Sequence, residues 1–504
     1  MHSEHPGTDP KLPSFRHPIL REHAEDLERA YDAWYCLKGE ATKRKYLPPE
    51  PAEPANAYEG RLGRAVFADF FRAGIEAFAG VLSRSNVVNP PPSFEKAMDN
   101  VDLEGNSLEA WWLTVDALCL RDGGVPILVE MPDGQPTDGA NEAAQKRRPY
   151  LVSRTRSTCL NWRTAIVDSV EVVTRCTFLE WAEVDSPDGD FGVVYEERYR
   201  VIEAGKWTLY RLKKESDGRL TIDRVDDGQY LDAKQKPLTI CPVVWYPAEK
   251  AGFGRGSQPL RQVTEHCFQH FRKSSDLEEK THKCAMPVPV EEGGIPPGPG
   301  QQERPLVIGP NSVIRLEKGG KFYWSEPSAT SLAEQREQIK EVVELINQQL
   351  LGFLSGDSKI MKTATQAQLE GGRTQVSIKA MGERKKSVMQ SILAIWCLYT
   401  GEQLPVGAGL AMDENAFVPP LDAQGAKALM DLTGGEPLIS QESAVEELQR
   451  GGFNRATSSV KDEMARIRRE RPTLGAPTPG RNDTTTPLDL STPLDESQPT
   501  IAQP

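Results

Sequence analysis

Two long amphipathic stretches with narrow apolar stripes bracket a segment rich in Pro and Gly, and this pairing restricts the fold more than any other feature of the chain. The first, Ser257–Lys283, reads SQPLRQVTEHCFQHFRKSSDLEEKTHK. Leu260, Val263, Cys267, Phe271 and Leu277 form an imperfect stripe, and most of the remaining circumference is polar or charged. The second, Ser328–Leu354, places Leu332, Ile339, Val342, Val343, Ile346, Leu350 and Phe353 on one side. At 1.5 Å per residue each helix is roughly 40 Å long, more than the usual three or four turns. Between them, short β-like runs (Pro287–Val290, Leu306–Ile308, Val313–Leu316, Phe322–Trp324) are separated by Gly and Pro. A narrow stripe builds a poor core alone. It fits helices packed side by side in an assembly, and equally a helical hairpin within a monomeric domain.

Elsewhere the periodicity changes along the chain. His17–Lys38 is amphipathic, with Pro18 in its first turn, and a Pro-rich link (Tyr46–Ala55) follows. Tyr58–Arg84 reads as one strong helix through Leu62, Val66, Phe70, Ile75, Phe78 and Leu82, stopped by VVNPPPS. Ser107–Leu120 is a third helix, ended by Gly123 and Gly124, and Val125–Met131 is a buried strand. From Tyr150 to Pro247 alternation and β-branched residues predict strands, two of them joined by a turn near Ala204–Gly205. Helices followed by a mostly antiparallel sheet make an α+β domain. Thr363–Thr400 is a further long helix in which Gly371 and Gly372 permit a kink. A smaller helical unit covers 422–469, and the Pro/Thr-rich tail from Arg471 is expected to be disordered.

Composition narrows the function classes. A length of 504 residues suggests two to four domains. A net charge of −13 argues against a broad basic surface gripping nucleic acid. There is no apolar run of about 18 residues to cross a membrane and no signal-peptide pattern at the start. Eight scattered cysteines without a CxxC pair suit reduced thiols in a cytosolic setting.

Five stretches, in order, carry a resemblance: YEGRLGRAVFADFFRAGIEAFAGVLSR, VDLEGNSLEAWWLTVDALCLRDGGVPILVEMP, FQHFRKSSDLEEKTHKCAMPVPV leading to IGPNSVIRLEKGGKFYWSEPS, KTATQAQLE, and LISQESAVEELQRGGFN. Together they span roughly residues 46 to 455, and the chain resembles a tailed-bacteriophage portal protein, the head-to-tail connector, of the group whose N-terminal half is a domain of unknown function. The resemblance implies a ring, usually of twelve copies, at one capsid vertex. It assigns 1–256 to an α/β wing, 257–284 and 328–354 to two stem helices, and 285–327 to a small β-containing clip. It assigns 355–364 to a tunnel loop, 365–418 to a long kinked wing helix and the wing return, 419–470 to a helical crown and 471–504 to a tail. GGIPPGPGQQERP departs from the pattern and leaves the clip boundaries open. The implied partners are the terminase large subunit, a head-tail adaptor, the major capsid protein and double-stranded DNA in the channel, with no membrane and no cofactor. The implied location is the virion, with assembly in the host cytoplasm.

Candidate site residues are few. Lys359 and Lys362 fall in the implied tunnel loop, where they would touch DNA phosphates or simply face solvent. Arg272, Lys273, Lys280 and Lys283 would face the channel or, the favoured reading, pair with Glu278 and Glu279 of the next subunit. Arg466–Arg471 (RIRRER) would meet packaged DNA or solubilise a helix end. His266 and His270 have metal-chelating spacing, and a metal-dependent nucleic-acid enzyme is the alternative reading. Cys267 occupies the position of the HExxH glutamate, and no third ligand is evident. GFGRGS (Gly252–Ser257) lacks the Lys-Ser/Thr of a phosphate loop and reads as a lead into the first long helix. No catalytic residue and no metal site are assigned, and the chain is not expected to be an enzyme.

Overall fold

A computed structural model describes residues 7–51, 53–132, 147–167, 170–186, 189, 191–284, 288–294, 316–325, 329–351, 364–412, 427, 440–450 and 460–470. Contacts divide the chain into two units, Met1–Pro420 and Leu421–Pro504.

The first unit opens with helices α1 (Pro18–Glu22), α2 (Ala24–Trp34) and α3 (Glu40–Tyr46). His17 caps α1, its Nδ1 accepting from the Ile19 amide at 3.2 Å. The single helix expected over Tyr58–Arg84 is two, α4 (Ala55–Arg64) and α5 (Phe70–Leu82). The break has a tertiary cause. Ala65 leaves the helix with an extended backbone, its carbonyl accepting from Lys43 Nζ at 2.9 Å. Phe67 then turns inward, 5.8 Å from the rings of both Phe268 and Phe271.

Strand β1 (Ser85–Val88) and the short α6 (Pro92–Glu95) lead to α7 (Leu108–Asp122). Ser107 Oγ accepts from the Ala110 amide at its start, and Gly123 closes it with φ 80°. The apolar run that follows is β2 (Gly124–Glu130), buried along its whole length. It lies between β3 (Tyr150–Ser153) and a later strand, both antiparallel to it. A five-stranded meander comes next: β4 (Cys159–Val167), β5 (Val170–Asp185), β6 (Val193–Glu203), β7 (Lys206–Lys214) and β8 (Leu220–Gln229). The turn expected near Ala204–Gly205 joins β6 to β7 in the register Glu203↔Lys206, with Gly205 at φ 72°. β9 (Val243–Pro247) then completes the three-stranded sheet.

The long helices α8 (Arg261–Cys284) and α9 (Ala329–Leu351) flank β10 (Val288–Gly294) and β11 (Leu316–Ser325), which pair with each other. α10 (Ala364–Thr400) is helical without interruption at Gly371 and Gly372, and β12 (Gly409–Met412) returns to pair with β1. The architecture is α+β, as expected. Its core runs from α5 and α7 through β2 and β9 to the second half of α10, around Trp112, Tyr246, Phe71, Phe94 and Trp396. In the second unit, α11 (Gln441–Arg450) and α12 (Val460–Glu470) are described, and the tail from Arg471 lies outside the described residues.

Candidate functional site

The two long helices run antiparallel. Gln349 near the end of α9 reaches Gln262 (3.3 Å) and His266 (3.4 Å) near the start of α8, whereas Lys273 further along α8 donates to Gln338 at 2.7 Å. Val342, Ile346 and Leu350 carry the buried side of α9. Leu350 sits over Gly74 of α5, where a Cβ would come within 2.4 Å of it.

α8 is more deeply embedded than its sequence stripe suggests. Phe268, absent from that stripe, is fully buried and stacks on Tyr46 at 4.0 Å. Arg64 of α4 pairs with Glu279, and Arg61, also tied to Glu53 at 2.8 Å, lies 3.6 Å from Asp276. α2, α4 and α5 pack along α8 and supply the second half of a core that α9 alone leaves incomplete. Glu279 and Lys273, expected to reach a neighbouring subunit, have partners within their own chain. Arg272, Glu278 and Lys280 are exposed. So are most polar residues of α9, among them Glu334, Arg336, Glu337, Lys340, Glu341 and Glu344. The Lys283 side chain, Lys359, Lys362 and Arg471 lie outside the described residues.

His266 and His270 have separate environments. The first faces Gln349, and the second packs edge-on to Phe70 (5.2 Å) with Nε2 at 3.4 Å from Ser274 Oγ. Burial lowers the His270 imidazole below its ordinary range. Among the described residues no three His, Cys, Asp or Glu side chains converge as a metal site.

GFGRGS departs from a phosphate cradle in polarity. Its carbonyls, not its amides, converge on a cation: Arg156 donates to the oxygens of Gly256 (2.6 Å), Gly254 (3.1 Å) and Asp122 (3.0 Å). Gly254 (φ 69°) faces the Trp162 ring so closely that a Cβ would meet it at 2.3 Å. α8 begins at Arg261 rather than at the expected Ser257.

Between the expected stem helices, β10 and β11 form an antiparallel pair in the register Val288↔Ser325 to Glu292↔Lys321, with an irregularity before Gly294↔Leu316. Tyr323 donates across it to Glu292 at 3.0 Å. The β-like run Leu306–Ile308 lies outside the described residues. In the second unit, Arg466 pairs with Glu463 at 3.4 Å and Arg469 is exposed.

A buried ion pair was not among the expected features. Lys385 of α10 and Asp116 of α7 are both fully buried and 2.6 Å apart. Lys385 Nζ also donates to the Leu82 carbonyl at the end of α5 (3.0 Å) and lies 4.6 Å over the Trp112 ring, while Tyr246 of β9 donates to Asp116 at 2.9 Å. Burial pushes the Asp116 carboxyl above its ordinary range, and Lys385 pulls against it. The available signal was a lysine four residues from both Met381 and Met389 on an otherwise apolar helix face.

The family model described as "Domain of unknown function (DUF4055)" matches residues 259–400, covering the helix pair, the strands between and the long helix, rather than the N-terminal half. No curated protein matches the chain. Among solved structures, one chain of a virion of a native gene transfer agent particle is 13% identical, over 84% of this chain and 99% of that one, with a TM-score of 0.38. A chain from the neck of the empty particle gives 13% identity, 80% and 96% coverage and a TM-score of 0.40. One from the neck of the native particle gives 12%, 82% and 98%, and 0.36.

Proposed function

We propose that this chain is a non-catalytic portal subunit, which closes with copies of itself into a ring around a DNA channel at one capsid vertex. The observation that carries the reading is the order α8, paired strands, α9, α10, with α8 and α9 antiparallel. The five sequence stretches that resemble portal proteins span this region and continue on both sides of it. In this reading a separate terminase ATPase drives DNA inward, and the β10–β11 region docks terminase first and the head-tail adaptor later. Arg272, Glu278 and Lys280, exposed on α8, are proposed to meet a neighbouring copy. Lys359 and Lys362 are proposed to touch DNA phosphates in transit.

Light scattering followed by negative-stain imaging of the same peak tests the proposal. A closed twelve-fold ring of 55.8 kDa chains has a mass of roughly 670 kDa. A ring with a central hole near that mass supports the reading; a chain that stays monomeric at assembly concentrations contradicts it.

A further inference from the structure

The five-stranded sheet has two open edges, and they differ. Among the described residues β4 pairs only with β5 and β8 only with β7. At the base of β4 the His17 amide donates to the Leu160 carbonyl at 2.8 Å, which covers the edge there. Beyond it Arg163–Val167 is exposed at every residue, with Ile166 at 81% and Val167 at 50%. Thr164-Ala165-Ile166-Val167 contains no charge and no proline, the usual devices that keep an open edge from pairing. Arg163 lies directly opposite Arg175, a like-charge pair that costs stability. Arg175 has Glu203 at 3.7 Å, whereas Arg163 has no carboxylate partner among the described residues.

The β8 edge has the complementary character. Asp226 is exposed and without a cationic partner among the described residues, next to Asp227, which is tied to Arg224. Ile222 (47%) and Val225 (36%) supply exposed apolar area on the same strand.

We infer that the Arg163–Val167 edge of β4 adds to the β8 edge of a second copy of this chain, continuing the sheet between subunits. The inference deepens the ring proposal and rests on it. Two β4 edges brought together would give Arg163 no carboxylate, and two β8 edges would bring together strands that each carry Asp223, Asp226 and Asp227. Only β4 against β8 matches opposite charges and buries Ile166 and Val167 against Ile222 and Val225. This joint connects two different patches, so it is heterologous, the type of contact from which rings close. Backbone hydrogen bonds along the added strand provide affinity, and the side chains set its register.

Cross-linking tests it. A chain carrying both Val167→Cys and Ile222→Cys, which face each other when Arg163 is set opposite Asp226 in an antiparallel joint, is expected to give a covalent ladder up to the full ring when treated with a short bis-maleimide. Each single variant, which controls for the native cysteines, is expected to give no ladder. Rings that form without a ladder from the double variant overturn the edge joint and leave the portal reading intact. A wild-type chain that never forms rings overturns both. As a second measurement, Arg163→Asp is expected to lower the assembled fraction several-fold, with Asp226→Arg in the same chain restoring it. Equal loss in single and double variants, with unchanged thermal unfolding of the monomer, overturns the pairing.

Discussion

The region around Lys385 and the outer face of the long helices place charge in opposite ways. Around Lys385 the ammonium and its carboxylate meet counterparts from other elements of the same chain: Asp116 and the Leu82 carbonyl for Lys385, and Tyr246 as a second donor to Asp116. Along α9 and the exposed side of α8, charged groups stand in solvent. The first region is self-sufficient, because unmatched charge there would cost several kcal/mol. The second carries little folding energy per residue, so its sequence is open to requirements set by something outside the chain.

Substitutions can break or sharpen this contrast. The largest effect is expected from Lys385→Met, which strands a buried carboxylate and should cost about 3–5 kcal/mol in chemical denaturation. Adding Asp116→Leu should recover part of it, and a single-variant cost below about 1 kcal/mol would place the pair with ordinary surface charges. Ile346→Ala, on the buried side of α9, should cost about 2–4 kcal/mol. A smaller value would mean that α9 is held mainly by its neighbours in an assembly.

Gly254→Ala, forced against Trp162 at positive φ, should cost about 1–3 kcal/mol, read as a drop in thermal midpoint. Glu130 sharpens the contrast through pH. Burial raises its carboxyl above the ordinary range, while Tyr150 (3.2 Å) and Tyr230 (3.4 Å) hold it. A carboxyl raised in the folded state adds stability below its unfolded pKa and loses it as pH climbs through the folded one. Stability of the wild type relative to Glu130→Gln should therefore fall as pH rises from about 4.5; a parallel pair of profiles would show that Glu130 is not the group responsible. Arg272→Glu should change monomer stability by less than about 0.5 kcal/mol and yet reduce the ring fraction in light scattering. Loss of stability without loss of rings would reverse its assignment.

Legibility from sequence followed the range of the interactions. The start of α7 near Ser107, the stop at Gly123, the buried β2 run and the Gly205 turn are local, and the sequence pattern predicts each within a few residues of its observed place. The helix break at Ala65–Asp69 was not, because Phe67 is drawn out of helical phase by Phe268 and Phe271, some 200 positions on. For the same reason α8 looked thin: Tyr46, Arg64 and α5 complete its buried side, and no periodicity within α8 reports them. The GFGRGS segment leads into α8, as its glycines predict, but the arginine on which its carbonyls converge lies about 100 positions earlier. Among the proposed contact residues, Arg272, Glu278 and Lys280 are exposed, whereas Lys273 and Glu279 are engaged within the chain.

The Lys385 anchor also has a mechanical side. α10 has 37 residues, and its first residue lies 21 positions, or about 30 Å of helix, before Lys385. At that point the helix is pinned to α7, to the end of α5 and, through Asp116 and Tyr246, to β9. From Met381 to Tyr399 one face of the helix is also buried in the core, so a sideways push on its N-terminal part is taken up as torque by the embedded half, with Lys385 near its leading edge. Three elements of the core share that torque, and with no solvent at the pin to exchange partners, the helix turns only if they turn with it.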